Sequence, residues 1–201
     1  MSWVLVVVGY LCGSIPTGVL LARRVGVDVR RSGSGNIGAT NVARTAGTAL
    51  GVATLVADAA KGAVPVVIAR ATEGSASLAA AVGVAAFLGH VFPVTLGFAG
   101  GKGVATALGV LAVLCPLGVA CAVGVFAAVV GVLRYVSLGS VLGAAAAPLA
   151  IWAVGCPVSV RAAALVMAAI IVLRHRENLG RLRAGTEPRF ALHKKQATPG
   201  K

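Results

Sequence analysis

Charge is what this sequence has least of, and negative charge most of all. Asp, Glu, Lys and Arg make 11% of the 201 residues, and only 5 are Asp or Glu. Soluble domains carry roughly a quarter charged residues, which argues against a soluble single domain. A mean hydropathy of +0.95 excludes disorder, which needs low hydrophobicity. Aromatics make 4% of the chain. No basic–aromatic interleaving occurs, so no nucleic-acid partner is expected. Cys12, Cys115, Cys121 and Cys156 form no CxxC and lie within or beside apolar runs; they read as small buried hydrophobes. His90, His175 and His193 lack helical metal-ligand spacing, so no metal is expected. No repeat of fixed period is evident.

What remains is long apolar runs. An all-α polytopic membrane protein follows, one domain over 1–201, with the lipid bilayer as its surroundings. Residues 3–22 carry no charge and suffice to cross a core of about 30 Å. No basic segment precedes them as in a signal peptide. Arg23, Arg24, Arg30, Arg31 and Arg44 follow, which sets the first crossing from outside to inside. The second run, 46–69, holds Asp58 and Lys61 at i and i+3, where they neutralise each other. Residues 75–101 give a third crossing ending near Pro93 and then a Gly-rich loop. Residues 103–133 are too long for one crossing, and Cys115-Pro116 is the natural break. Crossings over 137–153 and 158–174, separated by Gly155-Cys156-Pro157, bring the expected count to about seven. That count places the N-terminus outside and the C-terminus in the cytoplasm. From Arg174 onward the tail holds Arg174, Arg176, Arg181, Arg183, Arg189, Lys194, Lys195 and Lys201, as the positive-inside rule requires. Residues 177–201 read as a cytoplasmic basic tail attracted to anionic headgroups.

This topology gathers three polar clusters at one face. The first runs from Ser32 to Arg44 and includes Ser34, Asn36, Gly38, Thr40 and Asn41. Gly lets backbone approach a ligand, successive N–H groups make anion nests, and Arg adds a phosphate fork. A Gly-Ser linker would match the composition, but not the two Asn and the Thr. The second pairs Gly89-His90 with Gly100-Gly101-Lys102-Gly103 and then Thr106, at the start of an apolar helix. A helix N-terminus favours an anion. Gly103 after Lys102 breaks the Walker A pattern, so nucleotide hydrolysis is unsupported. The third holds His175 and Asn178 beyond the last crossing, with Ser140 at the start of the sixth. Arg44, Lys102 and two His with few carboxylates make a polyanion site, most simply one for phosphate.

Together these residues resemble one family: the bacterial membrane acyl-phosphate:glycerol-3-phosphate acyltransferases (the PlsY family). The resemblance spans nearly the whole chain. It is carried by Gly13-Ser14-Ile15-Pro16, Ser32 through Arg44, Asp58-Ala59-Ala60-Lys61-Gly62, Gly89 through Pro93, Gly100 through Thr106, and His175 through Glu187. Ala99 stands where the family often has a basic residue, and Thr17 where it often has an aromatic.

The resemblance implies acyl transfer from acyl phosphate to the sn-1 hydroxyl of glycerol 3-phosphate, giving lysophosphatidic acid and inorganic phosphate. It implies no cofactor, no metal, no obligate protein partner, and a bacterial inner-membrane enzyme whose site faces the cytoplasm. The His-x4-Asp pattern of other glycerolipid acyltransferases is absent, since Thr95, Gly180 and Thr198 stand five after the three His. By resemblance Ser34, Arg44, His90, Lys102, His175 and Asn178 are the catalytic set. Asn36, Gly38, Thr40, Asn41, Gly100, Gly101, Gly103, Thr106 and Ser140 are the expected substrate-binding set. The identity of the general base stays open between His90, His175 and the substrate's own phosphate. Glu187 and the Asp58–Lys61 pair are expected to be structural. A small anion transporter is the rival class, but no inverted repeat is visible.

Overall fold

A computed structural model describes residues 2–189. Lys194, Lys195, His193 and the rest of the tail beyond 189 lie outside the described residues. The regular elements of the described part are helices: α1 (Ser2–Gly13), α2 (Thr17–Arg23), α3 (Ala39–Ala46), α4 (Thr48–Glu73), α5 (Ala76–Val91), α6 (Val104–Leu114), α7 (Pro116–Leu133), α8 (Val136–Ala153), α9 (Val158–Arg174) and α10 (Arg176–Arg183). A short 3-10 turn, Val94–Leu96, follows α5.

Among the described residues, five stretches are long and apolar enough to cross a membrane: Trp3–Arg23, Thr48–Glu73, Ala76–Leu96, Pro116–Leu133 and Val136–Ala153. A sixth joins α9 and α10 across a 52° bend. The expected fourth crossing is α6, with 11 residues. At 1.5 Å per residue it reaches only about 16 Å, half a bilayer core. A count of seven therefore includes one half-depth helix. The break at Cys115-Pro116 falls where proline chemistry put it, and Gly155, at φ 80°, ends the turn after α8.

The first crossing is broken at Ser14-Ile15-Pro16, which frees carbonyls inside an apolar layer. Each is capped. Lys61 Nζ donates to Ile15 O at 2.8 Å, and Thr95 Oγ1 donates to Ser14 O at 2.6 Å. Unsatisfied backbone in lipid costs several kcal/mol, so buried Lys61 here holds a helix break together. The expected Asp58–Lys61 pair forms at 2.8 Å, and Thr17 Oγ1 also donates to Asp58.

The core is built from small and branched side chains. Phe87, Val110, Ile151, Val160 and Met167 are fully or almost fully buried where α5, α6, α8 and α9 meet. Trp3, Val132, Leu149 and Val158 point outward, each at least 69% exposed, as lipid-facing residues do.

One cysteine expectation fails. Cys115 and Cys156 form a disulfide across 41 residues, while Cys12 and Cys121 are free. Local spacing could not show it, because each cysteine sits in a proline-bearing break, α6/α7 and α8/α9, and only the packed bundle brings those breaks together.

Candidate active site

At the opposite end of the bundle from the disulfide lies a chamber of about 520 Å³. The first polar segment forms one wall. Sequence alone treats Ser32–Arg44 as a loop; the structure folds its second half into α3, which places Asn41 and Arg44 on one short helix. Asn41 is buried, and its amide is spent within the loop. Its Oδ1 accepts from Ser34 N at 3.0 Å, and its Nδ2 donates to Val29 O, Ser32 O and Asn36 O. Asn41 therefore shapes the wall, whereas Arg44 is exposed to the chamber and free to meet an anion. Ser34, Asn36, Gly38 and Thr40 also line it.

The second wall is the turn before α6. Gly103 takes φ 82°, a left-handed conformation that glycine adopts without strain, and turns the chain into the helix. Lys102 projects into the chamber and donates to Asn178 Oδ1. Burial pushes the Lys102 ammonium down to about 8, with Glu187 opposing and Arg181 adding to the fall. Gly101 packs against the His90 ring. A Cβ at 101 would lie 2.2 Å from His90 Nε2, so no side chain fits. Gly101 N also donates to His90 O at 3.1 Å. From the other side Arg174 donates to Gly100 O at 2.8 Å and Gly101 O at 3.3 Å, with its guanidinium 5.9 Å from the Phe92 ring. Gly100 and Gly101 thus hold the turn from behind; Gly103 and Lys102 face the chamber.

The third wall comes from the α9/α10 bend and the start of α8. His175 Nδ1 lies 2.8 Å from Ile171 O. A carbonyl only accepts, so Nδ1 carries the proton, and in the neutral ring Nε2 is left with its lone pair. Asn178 Nδ2 donates to Glu187 Oε1 at 2.6 Å, and Arg181 pairs with Glu187 at 2.8 Å. Lys102, Asn178, Glu187 and Arg181 form one chain of contacts. Burial works to raise the Glu187 carboxyl, but hydrogen bonds from its neighbours, Asn178 and Arg181 among them, hold it below its usual value. Ser140 Oγ donates to Val136 O at 2.8 Å and still lines the chamber, as does Ser137.

Ser34, Arg44, His90, Lys102, His175 and Asn178 all line this one chamber. Thr106 does not. It is fully buried against Gly62, its hydroxyl has no hydrogen-bond partner among the described residues, and it does not line the chamber. One turn into α6 it points at α4 rather than at the cavity. Two residues expected to be structural, Asp58 and Glu187, also line the chamber. Asp58 Oδ1 lies 3.5 Å from His90 Nδ1, which has no hydrogen-bond partner, and Glu187 ties Asn178 in place. An Asp set in an apolar run was the available signal for the first. Arg174, counted above only among the basic residues of the tail, is also a loop anchor.

Beside the chamber runs an apolar groove of about 250 Å³ between α6, α7, α8 and α9. Leu55, Val104, Ala105, Phe126 and Ser140 line both cavities. The chamber is cationic and the groove is apolar, and they share a mouth.

A family model described as glycerol-3-phosphate acyltransferase matches residues 3–185. A glycerol-3-phosphate acyltransferase of Geobacter sulfurreducens is 54% identical over 93% of this chain and 96% of its own. One from Anaeromyxobacter dehalogenans is 52% identical over 92% and 94%. The crystal structure of PlsY (YgiH), an integral membrane glycerol 3-phosphate acyltransferase, superposes in its glycerol 3-phosphate form with a TM-score of 0.91. It is 43% identical and the match covers 94% of this chain and 96% of that one. Its lysophosphatidic acid form gives 0.88.

Proposed function

The chain belongs to the glycerol-3-phosphate acyltransferase family and is an integral membrane acyltransferase that acts on glycerol 3-phosphate to give lysophosphatidic acid; we propose that its donor is an acyl phosphate. The shared mouth carries this reading. In an acyl phosphate the anion is bonded to the acyl group itself. Its binding cation must therefore stand where an apolar channel opens. Lys102 stands there, next to Val104 and Ala105, which line both cavities.

In this reading Lys102 and the free N–H groups starting α6 hold the donor phosphate. Arg44 and Ser34 hold the phosphate of glycerol 3-phosphate. The sn-1 hydroxyl oxygen attacks the carbonyl carbon, and the bond from that carbon to the phosphate oxygen breaks. His175 takes the hydroxyl proton at Nε2 and returns it to the departing phosphate. Lys102 stabilises the charge that builds on the leaving oxygen. His90, boxed between Asp58 and Gly101, positions the Lys102 turn.

The chamber faces the cytoplasm of a bacterial inner membrane in this account. Basic residues support that orientation: Arg23, Arg24, Arg30, Arg31 and Arg44 lie at the chamber end, Arg70 and Arg161 at the other. The disulfide supports it too, since such bonds persist on the oxidising side.

The test is labelled glycerol 3-phosphate offered with palmitoyl phosphate or palmitoyl-CoA, with EDTA present. Label should become lipid-extractable, with phosphate released, from palmitoyl phosphate alone. Turnover of only the CoA ester would refute the donor. Label crossing vesicles unchanged would favour transport.

A further inference from the structure

The apolar groove opens at the chamber and ends at a covalent tie. Along α6 its wall runs from Val104 to Leu111, along α7 from Phe126 back to Val119. Along α8 it runs from Gly139 to Ala147, and along α9 from Ile171 back to Ala164. Each wall is about 10 to 12 Å long at 1.5 Å per residue. All four stop at one level. The next residues on that side, Cys115, Ile151 and Val160, are 2%, 0% and 1% exposed and do not line the groove.

Cys115 stands one turn from Leu111 and one turn from Val119: its N–H donates to Leu111 O, and its carbonyl accepts from Val119 N. Cys156 N donates to Ile151 O at 3.3 Å. The disulfide thus joins the α6/α7 break to the α8/α9 break, and those four helices are the four groove walls. Arg70 adds a bond to Val113 O and Arg161 one to Cys156 O, each at 2.6 Å, at the same end.

We propose that the Cys115–Cys156 disulfide is the floor of the acyl groove and sets the longest acyl chain the enzyme accepts. This rests on the reading of the groove as the site of an acyl chain. A chain that reaches the floor packs against the walls along its whole length. A longer one must bend out toward lipid or part the helices that the disulfide holds. Parting packed helices for the extra methylenes lowers kcat/KM about fivefold or more.

The experiment is a chain-length series from octanoyl to stearoyl phosphate, assayed by phosphate release in the presence of glycerol 3-phosphate. The oxidised protein should rise with length and then fall off sharply. In the Cys115→Ala/Cys156→Ala variant that fall-off should move to longer chains. The donor just past the wild-type limit should gain about fivefold or more relative to lauroyl phosphate. Folded wild type reduced with TCEP, with thiol release followed by alkylation and mass, should shift the same way. This second arm does not depend on the variant folding. Ala147→Leu, which fills the deep end, should shift the limit to shorter chains. Reduced protein that turns over lauroyl phosphate with an unchanged length profile would overturn the proposal. Oxidised protein that turns over no acyl phosphate would instead overturn the donor reading, and this proposal with it.

Discussion

The chamber and the groove share a mouth and are built on opposite principles. The chamber is held by polar side chains that bind one another: Lys102 to Asn178, Asn178 and Arg181 to Glu187, and Arg174 to the backbone of the Lys102 turn. The groove is held by the absence of side chain. Ala144 and Ala147 on α8 leave a channel along α7, α6 and α9, while Gly139 and Gly143 let α7 pack close against α8. In the chamber a removed atom breaks a network; in the groove an added atom fills a void. Chamber substitutions should therefore act on every donor alike, and groove substitutions should act according to acyl length.

The largest effect is expected from His175→Ala. Loss of the proton acceptor should lower kcat by about 10²–10⁴. The loss should be equal for octanoyl and palmitoyl phosphate in steady-state assays, and a length-dependent loss would break the comparison. Next is Lys102→Ala, with about 10²–10³ lost from kcat as one cation at the leaving phosphate disappears. Its pH dependence sharpens the point. Burial lowers the Lys102 ammonium to about 8, so the group is charged below that pH and neutral above it. The KM for acyl phosphate should be flat below about pH 8 and rise about tenfold per unit above it. Lys102→Arg should remove that rise, since guanidinium stays charged.

A smaller effect belongs to the groove. Ala144→Leu should cost about tenfold in kcat/KM for palmitoyl phosphate and far less for octanoyl phosphate, because overpacking is met only by a chain that reaches it. The smallest is Thr106→Val, expected to leave activity within about twofold, because its buried hydroxyl makes no bond and faces no cavity. A loss comparable to that of Lys102→Ala would restore Thr106 to the site.

These two regions also differ in how far the sequence announces them. The chamber was readable because its chemistry is rare. A Lys, an Arg or two His stand out in a chain with so few charges, and their positions at the ends of apolar runs put them at one face. Thr106 misled because it is adjacent in sequence to that cluster. One helical turn rotates it toward α4. Asn41 lines the chamber too, but its amide is spent on holding the loop. The groove left no such trace, since Ala and Gly at helical spacing fit tight packing as well as they fit a channel. Only the packed helices distinguish the two. The disulfide was hidden for a related reason, because the pairing of two distant helix breaks is a property of the bundle. Hydropathy alone marked the five helices long enough to cross; α9 reaches that length only together with α10, and α6, whose break at Cys115-Pro116 was visible, spans about half a core.

The most direct test is a structure solved with glycerol 3-phosphate and palmitoyl phosphonate, a donor mimic whose phosphorus–carbon bond resists transfer. The account predicts the phosphonate at Lys102, its alkyl chain in the groove pointing toward Cys115, and the other phosphate at Arg44. A chain lying on the outer, lipid-facing surface, or a phosphonate remote from Lys102, would contradict it.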